Sequence, residues 1–246
     1  MKYVLNIFLL AVLLLVGCRK ENMCDCIKRS GANTVEKRVL PTFNTIEINP
    51  NIHVYLVQDT LCYAEIKAGR NLMSNIETNV DQNVLRVKNN NTCNFMRSYK
   101  QVVEVYLHFE KLNELIYQGT GPVKSVNTIN NRQKFTFTCW DGVDTVRLQL
   151  NAPIVHANIH TGVADLILQG YADSLYAYAR GSGCFRLQQF KCNYVYANNL
   201  SSGNFYLWAE KKLEVLLQSA GDIYYKGSPG EIIEQKSGSG KLIAFE

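Results

Sequence analysis

The sequence predicts an all-β fold, wound as a parallel β-helix-like solenoid of about 20 residues per coil, and three observations carry that expectation. From Phe43 onward, apolar and polar residues alternate with the period of two that a half-buried strand requires. No stretch carries the i, i+3, i+4, i+7 stripe of an amphipathic helix. Finally, Gly121, Gly142, Gly162, Gly183, Gly203, Gly221 and Gly240 follow one another at intervals of 21, 20, 21, 20, 18 and 19 residues.

The chain opens differently. Lys2 precedes the uncharged run 4–16, in which Asn6 is the one strongly polar residue. A charged start and a short apolar run are the parts of an export signal, and the run is too short to span a bilayer comfortably. It ends in Leu15-Val16-Gly17-Cys18, small residues before a cysteine that resemble a bacterial lipobox. Residues 1–17 are therefore expected to be a lipoprotein signal peptide, with Cys18 lipidated and the mature chain held to a membrane outside the cytoplasm. Residues 18–38 carry charge, Ser, Gly and Asn with little periodicity and read as a tether. Residues 39–246 form the folded domain.

Seven cysteines remain after Cys18: Cys24, Cys26, Cys62, Cys93, Cys139, Cys184 and Cys192. An oxidising compartment permits disulfides, an odd number leaves one thiol over, and sequence does not give connectivity. Cys24 and Cys26 are separated by one residue, a poor spacing for zinc, and pairing back to the domain suits them better. Cys184 pairs with Cys192 or stays a thiol.

Within the domain, "FNTIEIN" places Phe43, Ile46 and Ile48 together, and "IHVYLVQ" sets Ile52, Val54 and Leu56 against His53, Tyr55 and Val57. "NVLRVKN", "VVEVYLHF" and "ELIYQG" continue the pattern between Asn- and Gly-rich turns. The segment 68–78, "AGRNLMSNIET", holds a helical turn at most. In the second half, most of the phased glycines follow a small or polar residue, and apolar residues recur two and four places on, as in Phe185/Leu187 and Phe205/Leu207. A second alternating run, with Ala157/Ile159 and Ala177/Ala179 as examples, closes each coil. The coil after Gly142 is offset, using Val146, Leu148 and Leu150. Parallel stacking of six such coils about 4.8 Å apart gives a rod on the order of 30 Å long. A glycine recurs at the corner because the backbone needs φ > 0 there or passes close to the next coil. A β-sandwich, with strands at similar spacing, is the alternative architecture.

The blocks "FNTIEINPNIHVYLVQD" and "AGRNLMSNIETNVDQNVLRVKN", followed by the "SGN" and "SGSGKL" turns, resemble the putative auto-transporter adhesin, head GIN domain family over residues 39–246. That resemblance implies a right-handed parallel β-helix-like fold, with the earlier strands as first coils or a companion layer. It implies a secreted or lipid-anchored protein of the kind common in Bacteroidota, and it supplies no catalytic residues.

Chemistry in the residues themselves is sparse. With 26 Lys+Arg against 21 Asp+Glu, a formal charge of +5 and no cationic cluster, the chain is not a nucleic-acid binder. His156 and His160 share one strand face about 13 Å apart, too far for a common metal, and read as a solvated face. Asp141, Asp144 and Asp165 fall in neighbouring coils with Arg147 and Arg186 nearby. Paired carboxylates on such coils could serve a polysaccharide-active enzyme, but a cross-coil Asp165–Arg186 ion pair is the plainer reading. No metal, cofactor or catalytic residue is assigned. By alternation, Tyr176, Tyr178, Tyr194 and Tyr196 face outward on one run, and Tyr206, Trp208 and Tyr224 on the other. These rings either form stabilising ladders or bind a glycan or an envelope protein. The expected protein is a non-catalytic lipoprotein of the outer membrane, on its periplasmic side or at the cell surface, that works in adhesion or interaction. A β-helix enzyme and a purely structural envelope component are the alternatives.

Overall fold

The computed structural model describes residues 30–91 and 102–245. Cys18, Cys24, Cys26 and Cys93 lie outside the described residues, as do the expected signal peptide and most of the tether. About 63% of the protein is strand, and the strands wind a β-solenoid of about seven turns at ~20 residues per turn.

The first strands are short: β1 (Asn33–Val39), β2 (Thr45–Ile48), β3 (His53–Gln58), β4 (Tyr63–Gly69), β5 (Ile76–Asp81) and β6 (Val84–Asn89). They continue as β7 (Glu104–Phe109), β8 (Glu114–Tyr117), β9 (Val123–Ser125), β10 (Ile129–Asn130) and β11 (Lys134–Cys139). Then come the long, bent β12 (Thr145–Ile159), β13 (Asp165–Ala179), β14 (Cys184–Asn199) and β15 (Phe205–Leu217), followed by β16 (Ile223–Lys226), β17 (Glu231–Lys236) and β18 (Leu242–Ala244). The segment read as holding one helical turn contains a single 3-10 turn, Met73–Asn75.

Parallel register lines up inward side chains in columns. One runs Val105, Val54, Val123, Val146, Leu166, Phe185, Phe205, Ile223, Leu242. Another runs Leu85, Ile46, Leu115, Phe137, Ala157, Ala177, Ala197, Val215. All but Leu242 are buried, so alternation in sequence becomes one continuous core down the axis. Where the second column narrows to alanine, the first widens to Phe185 and Phe205, whose rings meet edge to face at 4.7 Å. The earlier strands are both first coils and a companion layer. β2, β3, β8 and β9 extend the parallel columns, while β1 and β5 pair antiparallel with β4 and β6.

The corner glycines stack. A Cβ on Gly203 would lie 2.1 Å from the carbonyl oxygen of Gly183, and Gly221 and Gly240 meet the preceding glycine in the same way. Close approach is thus the general reason for glycine, while Gly162 also has φ +87°. The sequence phasing needs one correction. Leu166 pairs with Phe185, so the coils after Gly142 and Gly162 share one offset, and the shift falls at the next corner. There "RGSG" supplies two glycines: Gly181 stacks on Gly162, and Gly183 on Ala164.

Two further readings change. Residues 33–38, read as tether, belong to β1, an edge strand exposed at most positions, so it shows no apolar alternation. Cys184 and Cys192 are both free, as are Cys62 and Cys139. The first two sit eight residues apart on one extended strand, separated at about 3.3 Å per residue, beyond disulfide reach. Burial pushes the Cys139 thiol up to about 11 and raises that of Cys192 further, so neither is a reactive thiolate at neutral pH.

Candidate interaction surfaces

The long bent strands place the outward residues of β12, β13 and β14 in one ladder. Tyr176 pairs in register with His156 and Tyr196. Its ring centroid is 4.8 Å from His156, 5.8 Å from Tyr194 and 6.2 Å from Tyr196, with the Tyr194 contact edge-on. Tyr178 lies 5.6 Å from His160, which stacks flat on Trp140 at 4.1 Å. The rings thus fall into two groups, Tyr176, Tyr194 and Tyr196 with His156, and Tyr178 with His160 and Trp140. The two histidines do not stand as a solvated pair; each is packed in the ladder. Burial, then Lys134, lowers the pKa of His156, and burial raises that of Tyr194.

The second group divides. Tyr206 and Tyr224 stack at 4.9 Å, nearly parallel, in the column that contains Arg186 and Ile167. Trp208 stands apart from them: its Nε1 donates to Glu210 at 2.7 Å, and the Lys226 ammonium sits 4.1 Å over its ring. Of the seven predicted aromatics, Tyr176 is exposed at 36% and the rest are half-buried. An analogous ladder begins the solenoid, where Tyr55 stacks on Tyr106 and Tyr63 on His108.

The acidic residues are not gathered into a catalytic pair. Asp165 accepts from Arg186 Nε at 2.9 Å, the expected ion pair, reached diagonally because Arg186 itself pairs with Ile167. Asp141 accepts from the Thr161 hydroxyl at 2.9 Å, and Asp144 from the Thr145 amide at 2.7 Å. Among the described residues, no three His, Cys, Asp or Glu side chains converge to hold a metal.

The bends that join the two runs of each coil leave an open groove of about 950 Å³, lined among others by Gln58, Asn113, Asn131, Asn151, Tyr171 and Asp173. Its walls are amide-rich, and the periodicity does not single it out, because its residues come from strand ends, loops and the bends of long strands.

A parallel solenoid with stacked rings on its faces and an open polar groove belongs to the class of β-helical proteins. The particular family follows from comparison: residues 42–229 match the family described as putative auto-transporter adhesin, head GIN domain, and the chain belongs to it. No curated protein matches the chain. Among solved structures, a putative adhesin from Bacteroides fragilis superposes with a TM-score of 0.79 at 21% identity, covering 87% of this chain and 97% of that one. A putative adhesin from Parabacteroides distasonis gives 0.64 at 16% identity, covering 87% and 98%. A putative lipid binding protein from the same species gives 0.60 at 16% identity, covering 88% and 98%. At these identities the likeness is one of fold.

Proposed function

We propose that the protein is a non-catalytic adhesion or interaction module of the cell envelope, anchored in the outer membrane through a lipidated Cys18, with its outward aromatic ladders as the contact surface. Family membership supports the adhesion class. The observation that carries the surface assignment is the ladder of Tyr176, Tyr194 and Tyr196 with Tyr178, His156, His160 and Trp140, rings gathered on one outward face where they offer a partner large rigid area at low entropic cost. Its partner is a glycan or an envelope protein.

The anchor is tested by membrane fractionation. Cys18→Ala moves the protein to the soluble fraction, and unchanged fractionation contradicts the anchor. Non-catalysis is tested by incubating the protein with a glycan library. No chain cleavage is expected, and turnover abolished by Asp165→Ala would transfer the protein to the polysaccharide-active enzymes.

A further inference from the structure

We propose that the groove at the coil bends is a binding site for a neutral oligosaccharide. This rests on the reading of the chain as an interaction module and names one ligand class and its place, distinct from the aromatic ladders.

The groove crosses successive coils, because Asn130, Asn151 and Tyr171 are in register on β10, β12 and β13. At about 4.8 Å per coil these three positions alone span roughly 10 Å, and the cavity of about 950 Å³ extends past them. That volume is ample for a small-molecule ligand. The buried side chains of Leu112 and Ala152 lie beneath it.

The walls are held in place before any ligand arrives. Gln58 donates to the carbonyls of Glu110 at 3.0 Å and Asn130 at 3.1 Å, and accepts from the Asn130 amide at 2.8 Å. Asn131 donates to the Leu112 carbonyl at 2.6 Å, and Asn151 to Asn130 at 3.0 Å. The Tyr171 hydroxyl is hydrogen-bonded to Asp173 and accepts from Asn193 at 2.7 Å, which fixes the orientation of a ring 39% exposed at the groove wall. Preorganisation of this kind lowers the entropic cost of binding.

Other groups are left over. The side chains of Asn113 and Gln133 make no hydrogen bond to any described residue, and the Arg132 guanidinium has no ion pair among them. An amide both donates and accepts, matching the dual character of a sugar hydroxyl, and a fixed aromatic ring offers a platform for the apolar face of a pyranose. Charge decides between neutral and ionic glycans. The lining holds Glu110 and Asp173 against Lys111 and Arg132, two of each sign, so the groove has no net field to select a polyanion.

The experiment uses the full chain in detergent on an array of neutral hexasaccharides (gluco-, manno-, galacto- and N-acetylglucosamine series) beside oligogalacturonate and hyaluronan fragments, with affinities measured by calorimetry. At least one neutral series binds. Tyr171→Ala weakens that binding tenfold or more, as does the double variant Asn113→Ala/Gln133→Ala. Both keep the wild-type thermal unfolding, and Arg147→Ala, exposed and outside the groove, changes nothing. Raising salt from 50 to 500 mM alters the affinity less than twofold. Binding confined to the anionic fragments overturns the proposal, as does neutral binding that survives both groove variants. Absence of all glycan binding overturns it too, and a parallel adherence measurement on intact cells then separates the two claims. Retained adherence leaves the interaction module standing without this site, and lost adherence removes both.

Discussion

The coils from β12 to β15 and the strands before them solve the same packing problem by different means. In the coils, each corner glycine from Gly162 on meets a backbone carbonyl of the coil before it, shifted once at Gly183, which meets Ala164. In the strands from β1 to β7 the path reverses: β4 runs antiparallel to both β1 and β7, and the chain closes one end of the core. Gly69 at the end of β4 is crowded as well, a Cβ there lying 2.3 Å from the Ser30 carbonyl oxygen, whereas Gly119, between β8 and β9, answers a looser local need. A Cβ on Gly119 would meet the Tyr117 ring at 3.1 Å and the Asn49 carbonyl oxygen at 3.3 Å, contacts that a small shift relieves. In β17 the inward slots that follow Val215 and Leu217 hold Glu234 and Lys236, both exposed, charges that discourage further strand addition at a free edge. Repetition makes corners rigidly specified, and it leaves outward positions free to vary, which is where a binding surface can be written.

The largest expected effect breaks that comparison at a corner. Gly203→Ala places a methyl 2.1 Å from the Gly183 carbonyl oxygen and should cost about 3 kcal/mol, read as a lowered denaturant midpoint. Gly119→Ala, in the earlier region, should cost less than about 1 kcal/mol. Equal losses would show that the coil corners are no more tightly specified than the turn between β8 and β9.

Next comes the buried Asn199, which occupies an inward slot in line with Ala179. Its Nδ2 donates to the carbonyls of Gly203 at 3.0 Å and Gly221 at 3.1 Å, and its Oδ1 accepts from the Ser201 amide and hydroxyl at 2.9 and 2.7 Å. Asn199→Ala takes the partner from the Ser201 amide and the Gly221 carbonyl, while Ser201 and Gly203 keep their contacts with each other, and should cost about 2 kcal/mol by chemical denaturation.

A smaller effect comes with pH. The folded state holds the pKa of His156 below its ordinary value, through burial first and Lys134 second, so the unfolded chain binds more protons. Stability from this group is complete above the unfolded pKa near 6.5 and falls as pH drops below it. Thermal unfolding between pH 7.5 and 5 should therefore show a decline that His156→Gln reduces. Smallest is the exposed Asp165–Arg186 pair. Asp165→Asn should change stability by no more than about 0.5 kcal/mol, and a larger loss would show that the pair is more than surface decoration.

Much of this was legible in the sequence because a solenoid repeats its signals. Phe185, Leu187, Phe205 and Leu207 sit in the core as alternation requires, and Gly203, Gly221 and Gly240 stack as their spacing implies. The register shift at Gly181 and Gly183 was hidden because two glycines in one turn satisfy the same periodicity. β1 was hidden because an edge strand exposed at most positions has no apolar face to display. On the surface, alternation found Tyr176 and Tyr196 but not the contact of Tyr176 with His156, nor the Trp140–His160–Tyr178 group, since these depend on which residues lie in adjacent coils. The groove was invisible for the same reason: Gln58, Asn113, Asn131 and Asn151 are far apart in the chain and meet only at the bends.

Corners hold the fold, and the proposed binding surface lies on the outward rings. The direct test is the binding isotherm of the purified chain on intact-cell envelopes, wild type against Tyr176→Ala/Tyr194→Ala, with thermal unfolding measured on the same samples. The account predicts binding weakened about tenfold or more with the unfolding temperature nearly unchanged. Wild-type binding by the double variant would contradict it.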